Sequence, residues 1–289
     1  MLAAMRLVAT SDLHFNHTRS RPLAAGLIEQ INRVGGDVLL VGGDTASADG
    51  DALEQCLSLF RFAGPKLIVA GNHELWTHGP DSHALFVRDL PQRVRALGWH
   101  WLEGEPFLAD QVAVVGTVGW YDYAFASPRL AIPRRFYERK VSPGVARRLD
   151  QHHDLLARID DIPPHTMDLY ARWNDGRHVK LHRDDGAFLD ERLADLRRSL
   201  DAAGSRRILA FSHHVPHAAL LPPAHGSQWD FAFAFLGSPR IGQTILDRPN
   251  VSHLLCGHSH FPVRARIGPT QAINIGSGYR WKTYEVIDL

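Results

Sequence analysis

The chain has 289 residues, which allows one large domain or two small ones, and 45% of them are hydrophobic, ample for a buried core. The formal net charge is +1 at pH 7, so the overall charge does not indicate a polyanionic partner. No apolar run approaches the ~20 residues of a membrane span, and the first residues lead straight into a predicted strand rather than a signal peptide. Because Cys56 and Cys256 offer no disulfide framework, we expect two buried thiols in a cytoplasmic protein.

The first 70 residues alternate between apolar runs and helical patterns. Apolar runs predict strands buried on both faces at residues 6–10, 38–41 and 66–70. Between them, residues 22–34 and 51–62 repeat apolar side chains at helical spacing, with Asp51 as a cap of the second helix. This order predicts a parallel sheet with right-handed crossovers.

The pattern changes after a helix predicted at 81–97, which Pro91 should kink or split, and a strand predicted at 112–118. Residues 119–184 show no regular alternation and mix aromatic with basic side chains. From residue 129 to 183 there are 12 Lys and Arg against 7 Asp and Glu, a local balance of +5. Long irregular insertions often act as lids, so we predict an inserted cap at about 119–184. The alternative is a surface decoration whose charges are solvated.

Within this predicted cap, residues 173–176 suggest a turn, and His178 and His182 are interpreted as surface residues. After it, residues 185–203 predict a helix that Gly204 ends, followed by a strand at 207–211. Residues 215–240 are rich in proline and aromatic side chains and predict a second loop near the site.

The end of the chain predicts three antiparallel strands, at 263–267, 271–275 and 281–287. No repeat or linker divides the sequence. We therefore predict a single α/β domain over residues 1–289.

Five predicted strands end in residues that bind metals. These residues are Asp12, His14, Asp44, Asn72, His213, His258 and His260. Open α/β sheets place their ligands at the carboxyl ends of strands, so we expect the seven side chains to meet at one sheet edge. Two divalent ions close together need a shared anionic ligand, and we predict that Asp44 bridges them. Oxygen and imidazole donors without thiolate favour Mn, Fe or Zn.

Local geometry supports this grouping. Asp12 and His14, like His258 and His260, are two residues apart, which in an extended segment places both side chains on one face. Glycines adjacent to Asp44, Asn72 and His258 should let the backbone approach the metals closely.

In chain order, the motifs Asp-Leu-His, Gly-Gly-Asp, Gly-Asn-His-Glu, Ser-His-His and Gly-His-Ser-His resemble those of the calcineurin-like metallophosphoesterase superfamily. They span residues 12–260, nearly the whole chain. The resemblance implies a two-sheet αββα sandwich with one metal held by Asp12, His14, Asp44 and His260, and the other by Asp44, Asn72, His213 and His258. It matches His213 rather than His214 to the ligand, and places His73 beside the metals, facing the substrate.

Charge then indicates the substrate. Two divalent ions and two carboxylates leave a positive site that attracts an anion, and water between two metals has a pKa lowered toward 7. We therefore predict hydrolysis of a small, nucleotide-like phosphodiester or phosphomonoester by a hydroxide that bridges the metals. Ser47 stands where protein phosphatases have an aspartate and purple acid phosphatases a tyrosine, which argues against both classes. The alternatives are a nuclease, with nucleic acid on the basic predicted cap, and a metal-free interaction module.

His73 is predicted to be a catalytic residue rather than a ligand, because a neighbour of Asn72 in an extended segment points elsewhere. A histidine there can donate a hydrogen bond or proton to the leaving group. The sequence leaves open the physiological ester, the metal pair and the oligomeric state.

Overall fold

The structure is a computed structural model that describes residues 5–224 and 226–289. The expectation about the N-terminal segment concerns residues 1–4, which lie outside the described residues. In the described part of the chain, no helix is long and apolar enough to cross a membrane. Cys56 and Cys256 are free and buried, as predicted.

The first sheet has five strands in the order β11-β1-β2-β3-β4. Its strands are β1 Arg6–Thr10, β2 Val38–Gly42, β3 Lys66–Val69, β4 His100–Trp101 and β11 Tyr284–Asp288. The first four are parallel, which confirms the predicted parallel sheet, and β11 lies antiparallel to β1.

The second sheet has six strands in the order β5-β6-β7-β8-β10-β9. They are β5 Phe107–Leu108, β6 Val112–Thr117, β7 Arg207–Ser212, β8 Val251–Cys256, β9 Val263–Ile267 and β10 Thr270–Asn274. Strands β6, β7, β8 and β10 are parallel, and the edge strands β5 and β9 are antiparallel to their neighbours.

The α-helices are Arg21–Val34, Ala52–Ser58, Ser82–Ala84, Leu90–Ala96, Arg134–Glu138, Pro143–Arg148, Asp175–His178, Asp185–Ala203, Ser227–Ala232 and Pro239–Leu246. Short 3-10 turns are His73–Leu75, Asp150–Leu156, Ile159–Asp161, Pro164–Thr166, Ala218–Leu220 and Phe233–Phe235. A π-helical turn, Leu85–Asp89, interrupts the predicted helix at 81–97 and ends two residues before Pro91. Proline has no N–H to donate, and the wider turn accommodates its missing hydrogen bond.

The two sheets enclose a core of aliphatic side chains that includes Leu40, Val69, Val114 and Leu209. Gly42 makes this packing close, because a Cβ there would lie 1.9 Å from the Phe211 ring. A second, larger core packs the helices onto the outer faces of the sheets. The two-sheet sandwich is therefore confirmed.

Three sequence expectations about elements were wrong. The last predicted strand does not stay with its two predecessors, because β11 crosses to the first sheet and pairs with β1. Residues 215–240 are not a loop throughout, because they include the turns Ala218–Leu220 and Phe233–Phe235 and the helix Ser227–Ala232. The helix predicted at 51–62 ends at Ser58, and Asp51 accepts from the Gln55 side chain instead of capping a backbone N–H.

Candidate active site

The metal-binding side chains of the motifs form two clusters that share Asp44. The first cluster comprises Asp12, His14, Asp44 and His260, and the second comprises Asp44, His213 and His258. Within each cluster, one ligand atom per residue lies within 4.8 Å of all the others. Two groups of donors that share one carboxylate are what a pair of neighbouring cations needs.

Both sheets contribute to these clusters. Asp12 and Asp44 follow β1 and β2 of the first sheet, whereas His213 and His258 follow β7 and β8 of the second. The expectation of a single sheet edge was therefore wrong. The carboxyl ends of two facing sheets meet, and their loops surround one site.

Five of the candidate ligands have left-handed backbone conformations. Their φ angles are 56° at Asp12, 45° at His14, 50° at Asp44, 66° at His258 and 55° at His260. The expectation of extended segments was wrong, because sharp turns rather than strand alternation direct these side chains inward. Such conformations cost on the order of 1–3 kcal/mol each and cluster at functional sites, where the surrounding structure holds them.

Three glycines let the loops pack this tightly against the candidate ligands. A Cβ on Gly43 would lie 2.6 Å from Nδ1 of His213, and one on Gly71 would lie 2.1 Å from Oδ1 of Asp44. A Cβ on Gly257 would meet Oδ2 of Asp12 at 2.4 Å. Any larger residue at these positions would displace a candidate ligand.

Backbone carbonyls orient the two histidines of the second cluster. Nδ1 of His213 lies 2.9 Å from the Gly42 oxygen, and Nε2 of His258 lies 3.2 Å from the Phe235 oxygen. In a neutral ring, the nitrogen bonded to a carbonyl must bear the proton, which leaves the other nitrogen with a free lone pair. These two remaining nitrogens face each other at 3.2 Å.

In the first cluster, two histidine nitrogens also lie close together, but fewer contacts hold the two rings in place. Nε2 of His14 lies 2.9 Å from Nε2 of His260. Nδ1 of His14 is buried without a hydrogen-bond partner, and the His260 side chain is 25% exposed. A cation between the two rings would satisfy the converging nitrogens.

The electrostatics prepare Asp44 and His258 for a cation, whereas His213 must first lose a proton. Burial acts to raise the pKa of Asp44, but His73 and His213 outweigh it and hold that pKa well below its ordinary value. Burial, with His213 nearby, lowers the pKa of His258 to about 3, so this imidazole is neutral. Burial acts to lower the pKa of His213, yet Asp44 outweighs it and raises that pKa to about 9. A cation bound to His213 would replace this proton.

Asn72 has the amide geometry of an oxygen ligand. It is 2% exposed, and its Nδ2 donates to Asp175 at 2.8 Å. Its Oδ1 is buried and has no hydrogen-bond partner among the residues that the structure describes. A buried amide oxygen without a donor is costly, and a metal ion would satisfy it. The donor set thus fits two divalent cations.

The Glu74 carboxylate connects the loop that contains Asp44 to the loop that contains Asn72. Its carboxylate accepts backbone N–H bonds from Asp44 at 2.9 Å, Thr45 at 2.6 Å and Gly71 at 2.6 Å. Burial, with Asp44 beside it, raises its pKa to about 7. Glu74 thus fixes the shared ligand relative to the Gly71–Asn72 turn.

His73 lies beside the clusters and belongs to neither. It is in the 3-10 turn His73–Leu75, so the expectation of an extended segment was wrong. Its ring stacks on Trp76 at a centroid distance of 3.7 Å, and its Nε2 lies 3.8 Å from Oδ2 of Asp44. The Tyr279 hydroxyl lies 3.5 Å from the same nitrogen.

His214, the neighbour of His213, packs behind the second cluster without joining it. Its Nδ1 lies 2.8 Å from the Val118 oxygen, and its ring contacts those of His258 at 4.2 Å and Trp120 at 4.9 Å. It is outside both groups of converging ligand atoms. Of the adjacent pair, His213 is the residue that the structure brings to Asp44.

Sequence reasoning missed four residues around the site. They are Glu74, Asp175, Tyr279 and Lys282. Glu74 stood within a recognised motif, but its role in binding backbone N–H groups left no pattern. Tyr279 stacks on His14 at 4.3 Å, and Lys282 Nζ donates to the Asp12 carbonyl at 2.5 Å. Both precede β11, so only the crossing of that strand brings them to β1.

A cavity of about 530 Å³ opens over the clusters. Asp44, Asn72, His73 and His258 line one part of it, and the remaining wall is largely aromatic, with Trp76, Trp173, Trp229, Phe233, Tyr279 and Trp281. Arg172 and Arg280 also line it, and among the described residues neither forms an ion pair. The cavity therefore combines a cationic rim with apolar walls.

The aromatic residues at 120–137 do not form this wall. Trp120, Tyr121 and Phe136 are completely buried, and Tyr123 and Tyr137 nearly so. These rings therefore belong to the core rather than to a binding surface. Burial in the core explains their number, while the 119–184 segment reaches the cavity through Arg172, Trp173 and Asn174.

His178 also proved less peripheral than predicted. Its ring stacks on Trp76 at a centroid distance of 4.8 Å, and the residue is only partly exposed. It lies outside both clusters, which agrees with its exclusion as a ligand.

Comparisons with known proteins place this geometry in a family. The chain is 40% identical over 83 residues to the [Acyl-carrier-protein] phosphodiesterase PptH of Mycobacterium tuberculosis, a match that covers 28% of this chain and only 24% of that protein. The crystal structure of phosphopantetheinyl hydrolase (PptH) from Mycobacterium tuberculosis superposes with a TM-score of 0.66 at 22% identity, covering 97% of this chain and 92% of that one. A dimetal phosphatase from Danio rerio superposes with a TM-score of 0.53 at 16% identity, covering 99% and 93% of the two chains.

The structural likenesses show a shared fold. The sequence model of the family described as calcineurin-like phosphoesterase matches residues 5–262, which include every residue of both clusters. By this match and by the order of its five strand-end motifs, the chain belongs to the calcineurin-like phosphoesterase family.

Proposed function

We propose that this protein is a phosphodiesterase that requires two divalent metal ions and acts on a diester with a long, partly apolar substituent. One observation supports this most directly: two ligand clusters sharing Asp44 lie at the floor of a cavity with aromatic walls and unpaired arginines.

The ligand assignment follows the clusters. Asp12, His14, Asp44 and His260 would hold one ion, and Asp44, Asn72, His213 and His258 the other. Bound divalent ions would polarise the phosphoryl group and lower the pKa of water. Oxygen and imidazole donors, without a thiolate, favour Mn, Fe or Zn.

Substrate selection falls to the rest of the cavity. Trp173 and Trp281 offer flat apolar surfaces, and Arg172 and Arg280 can bind a second anionic or carbonyl group of the substrate. The name of the Mycobacterium tuberculosis relative indicates a diester on acyl carrier protein. A phosphopantetheinyl arm, long and uncharged apart from its phosphate, matches such a cavity better than a compact monoester does.

His73 would assist the leaving group. Burial lowers its pKa although Asp44 opposes this, so its imidazole is neutral at pH 7 and can donate an N–H hydrogen bond. It lines the cavity next to Asp44, and its stack on Trp76 restricts its ring. Such a donor contributes typically about 10²–10⁴ in rate.

Nucleic acid is the less supported substrate. The local excess of positive charge at 129–183 is partly neutralised by ion pairs with acids outside that segment, Lys140 with Asp185 and Arg183 with Glu191. We also propose that the chain forms a single domain in which the 119–184 segment caps the site. We further propose that the protein is cytoplasmic.

The test supplies Mn, Fe or Zn separately to protein stripped of metal. The substrates are holo-acyl carrier protein, bis-nitrophenyl phosphate, nitrophenyl phosphate, a cyclic nucleotide and single-stranded RNA. We expect metal-dependent cleavage of diesters, with the highest kcat/KM on the carrier protein. Faster hydrolysis of the monoester or of RNA would contradict the proposed substrate, and protein that binds no metal would contradict the whole proposal.

A further inference from the structure

Asp175 is a buried carboxylate that no motif predicted. It is 0% exposed, at the start of the short helix Asp175–His178 in the 119–184 segment. Four side-chain donors surround it, and none of them is a lysine or arginine. A buried carboxylate without a cationic partner requires an explanation, because its charge is stabilised by neutral donors alone.

Its two oxygens serve different parts of the molecule. Oδ1 accepts from Nδ2 of Asn72 at 2.8 Å and from Nε1 of Trp76 at 2.6 Å. Oδ2 accepts from the Tyr121 hydroxyl at 3.0 Å and from Nε1 of Trp173 at 2.7 Å. Asp175 thus joins the aromatic packing of the 119–184 segment to residues 72–76.

The contact with Asn72 determines which end of its amide is available. A carboxylate cannot donate a hydrogen bond, so only the NH2 end of Asn72 can face Asp175. The amide oxygen must then point the other way, and it is buried without a partner. Without Asp175, the amide could rotate by half a turn and present nitrogen, which has no free lone pair for a metal.

The same oxygen restrains His73 indirectly. Trp76, bonded to Oδ1, stacks on the His73 ring at 3.7 Å and an interplanar angle of 24°. Nδ1 of His73 is buried without a hydrogen-bond partner, so no polar contact at that atom orients the ring. The Trp76 stack therefore orients the ring together with the Tyr279 hydroxyl, which lies 3.5 Å from Nε2 of His73.

We propose that Asp175 is a positioning residue: it directs the amide oxygen of Asn72 toward the ion of the second cluster and holds Trp76 against His73. The inference rests on the proposed two-metal function. Wild-type protein that binds no metal would contradict that function, whereas the variants below test Asp175 alone.

The experiment measures the affinity of each ion by competition with a chromophoric chelator, in wild type and Asp175→Ala. We expect the weaker or lost ion to be the one that Asn72 holds, with an affinity about 10–100-fold lower, the usual effect of removing a residue that orients a ligand. The first cluster should keep its ion. Turnover should fall most for substrates with poor leaving groups.

Asp185→Ala is the matched control. Asp185 is also a buried carboxylate in the same aromatic packing, where it accepts from Nε1 of Trp120 at 2.7 Å, from the Tyr123 hydroxyl and from Lys140. It contacts no candidate ligand. Asp185→Ala should therefore lower stability and leave both metal affinities unchanged. Equal loss of metal in the two variants would show that Asp175 only supports folding.

A rescue separates orientation from general packing. The carboxylate introduced by Asn72→Asp would have an oxygen at each end, so its orientation would no longer matter. In the Asn72→Asp background, adding Asp175→Ala should not lower the affinity for the ion of the second cluster. With the wild-type Asn72, the same substitution should lower that affinity. The same loss in both backgrounds would overturn the proposal.

If Asp175→Ala does not fold, wild-type protein provides the measurement. In Zn-loaded protein, the two Asn72 side-chain N–H signals should persist in nitrogen-15 NMR spectra, with one proton protected from solvent exchange. Rapid exchange of both protons would overturn the proposal.

Discussion

The two clusters use the same kinds of donors but are held differently. In the second cluster, His213 and His258 are buried, and backbone carbonyls fix the outer nitrogen of each ring. In the first, His260 is partly exposed and the outer nitrogen of His14 has no partner. Restrained ligands lose less freedom when they bind a metal. We therefore expect the second cluster to bind its ion more tightly and the first to exchange its ion more easily.

The largest expected effect comes from removing what the clusters share. Asp44→Asn eliminates the carboxylate common to both, so both ions should be lost and activity should fall by at least about 10³-fold while the fold persists. Metal content and circular dichroism together test this. Full metal occupancy of both clusters in this variant, with near-native turnover, would show that Asp44 is not the bridging ligand.

His73 belongs to neither cluster, so substituting it should lower turnover without changing the metal content. His73→Ala should retain both ions and lower kcat by about 10²–10⁴ for alkyl leaving groups, and less for nitrophenol, which needs no proton. Parallel kcat and metal-content measurements on the two ester types check this. An equal loss for both types would assign His73 to the phosphoryl oxygens, and loss of an ion would make it a ligand.

Chelation tests the difference between the clusters directly. Titration of loaded protein with a chelator should remove metal in two phases whose affinities differ by about 10–100-fold. His260→Ala should abolish the weaker phase and leave the tighter one. A single phase for two ions, or loss of the tighter phase in that variant, would contradict the comparison.

The smallest expected effect concerns protons. Asp44 raises the pKa of His213 to about 9, against the effect of burial, so His213 is protonated at pH 7 before metal binds. The second cluster must release this proton, and its affinity should rise about tenfold per pH unit up to about pH 9. Burial lowers the pKa of His14 well below its ordinary value, so His14 releases none. Calorimetry in buffers of different ionisation enthalpy would count the released protons; equal release at the two ions would contradict this.

Much of the fold followed from local patterns. The helix predicted at 185–203 is present with the same bounds, and the parallel β1, β2 and β3 lie where the apolar runs placed them. Periodicity is a property of neighbouring residues, so it can be recognised without tertiary structure. The crossing of β11 to the first sheet was missed, because strand pairing depends on contacts between residues more than 270 positions apart.

The site divides in the same way. The sequence by itself determined the identities of the seven candidate ligands and of His73, because strand-end Asp, Asn and His motifs are contiguous in the chain. Only the tertiary structure decided how they are aimed: by left-handed turns rather than extended segments, by the Glu74 carboxylate behind them, and by Asp175 from a segment 103 residues beyond Asn72. Hydrogen bonds between distant segments leave no periodic pattern, so their physical basis, the pairing of buried donors with buried acceptors, exists only once the chain has folded.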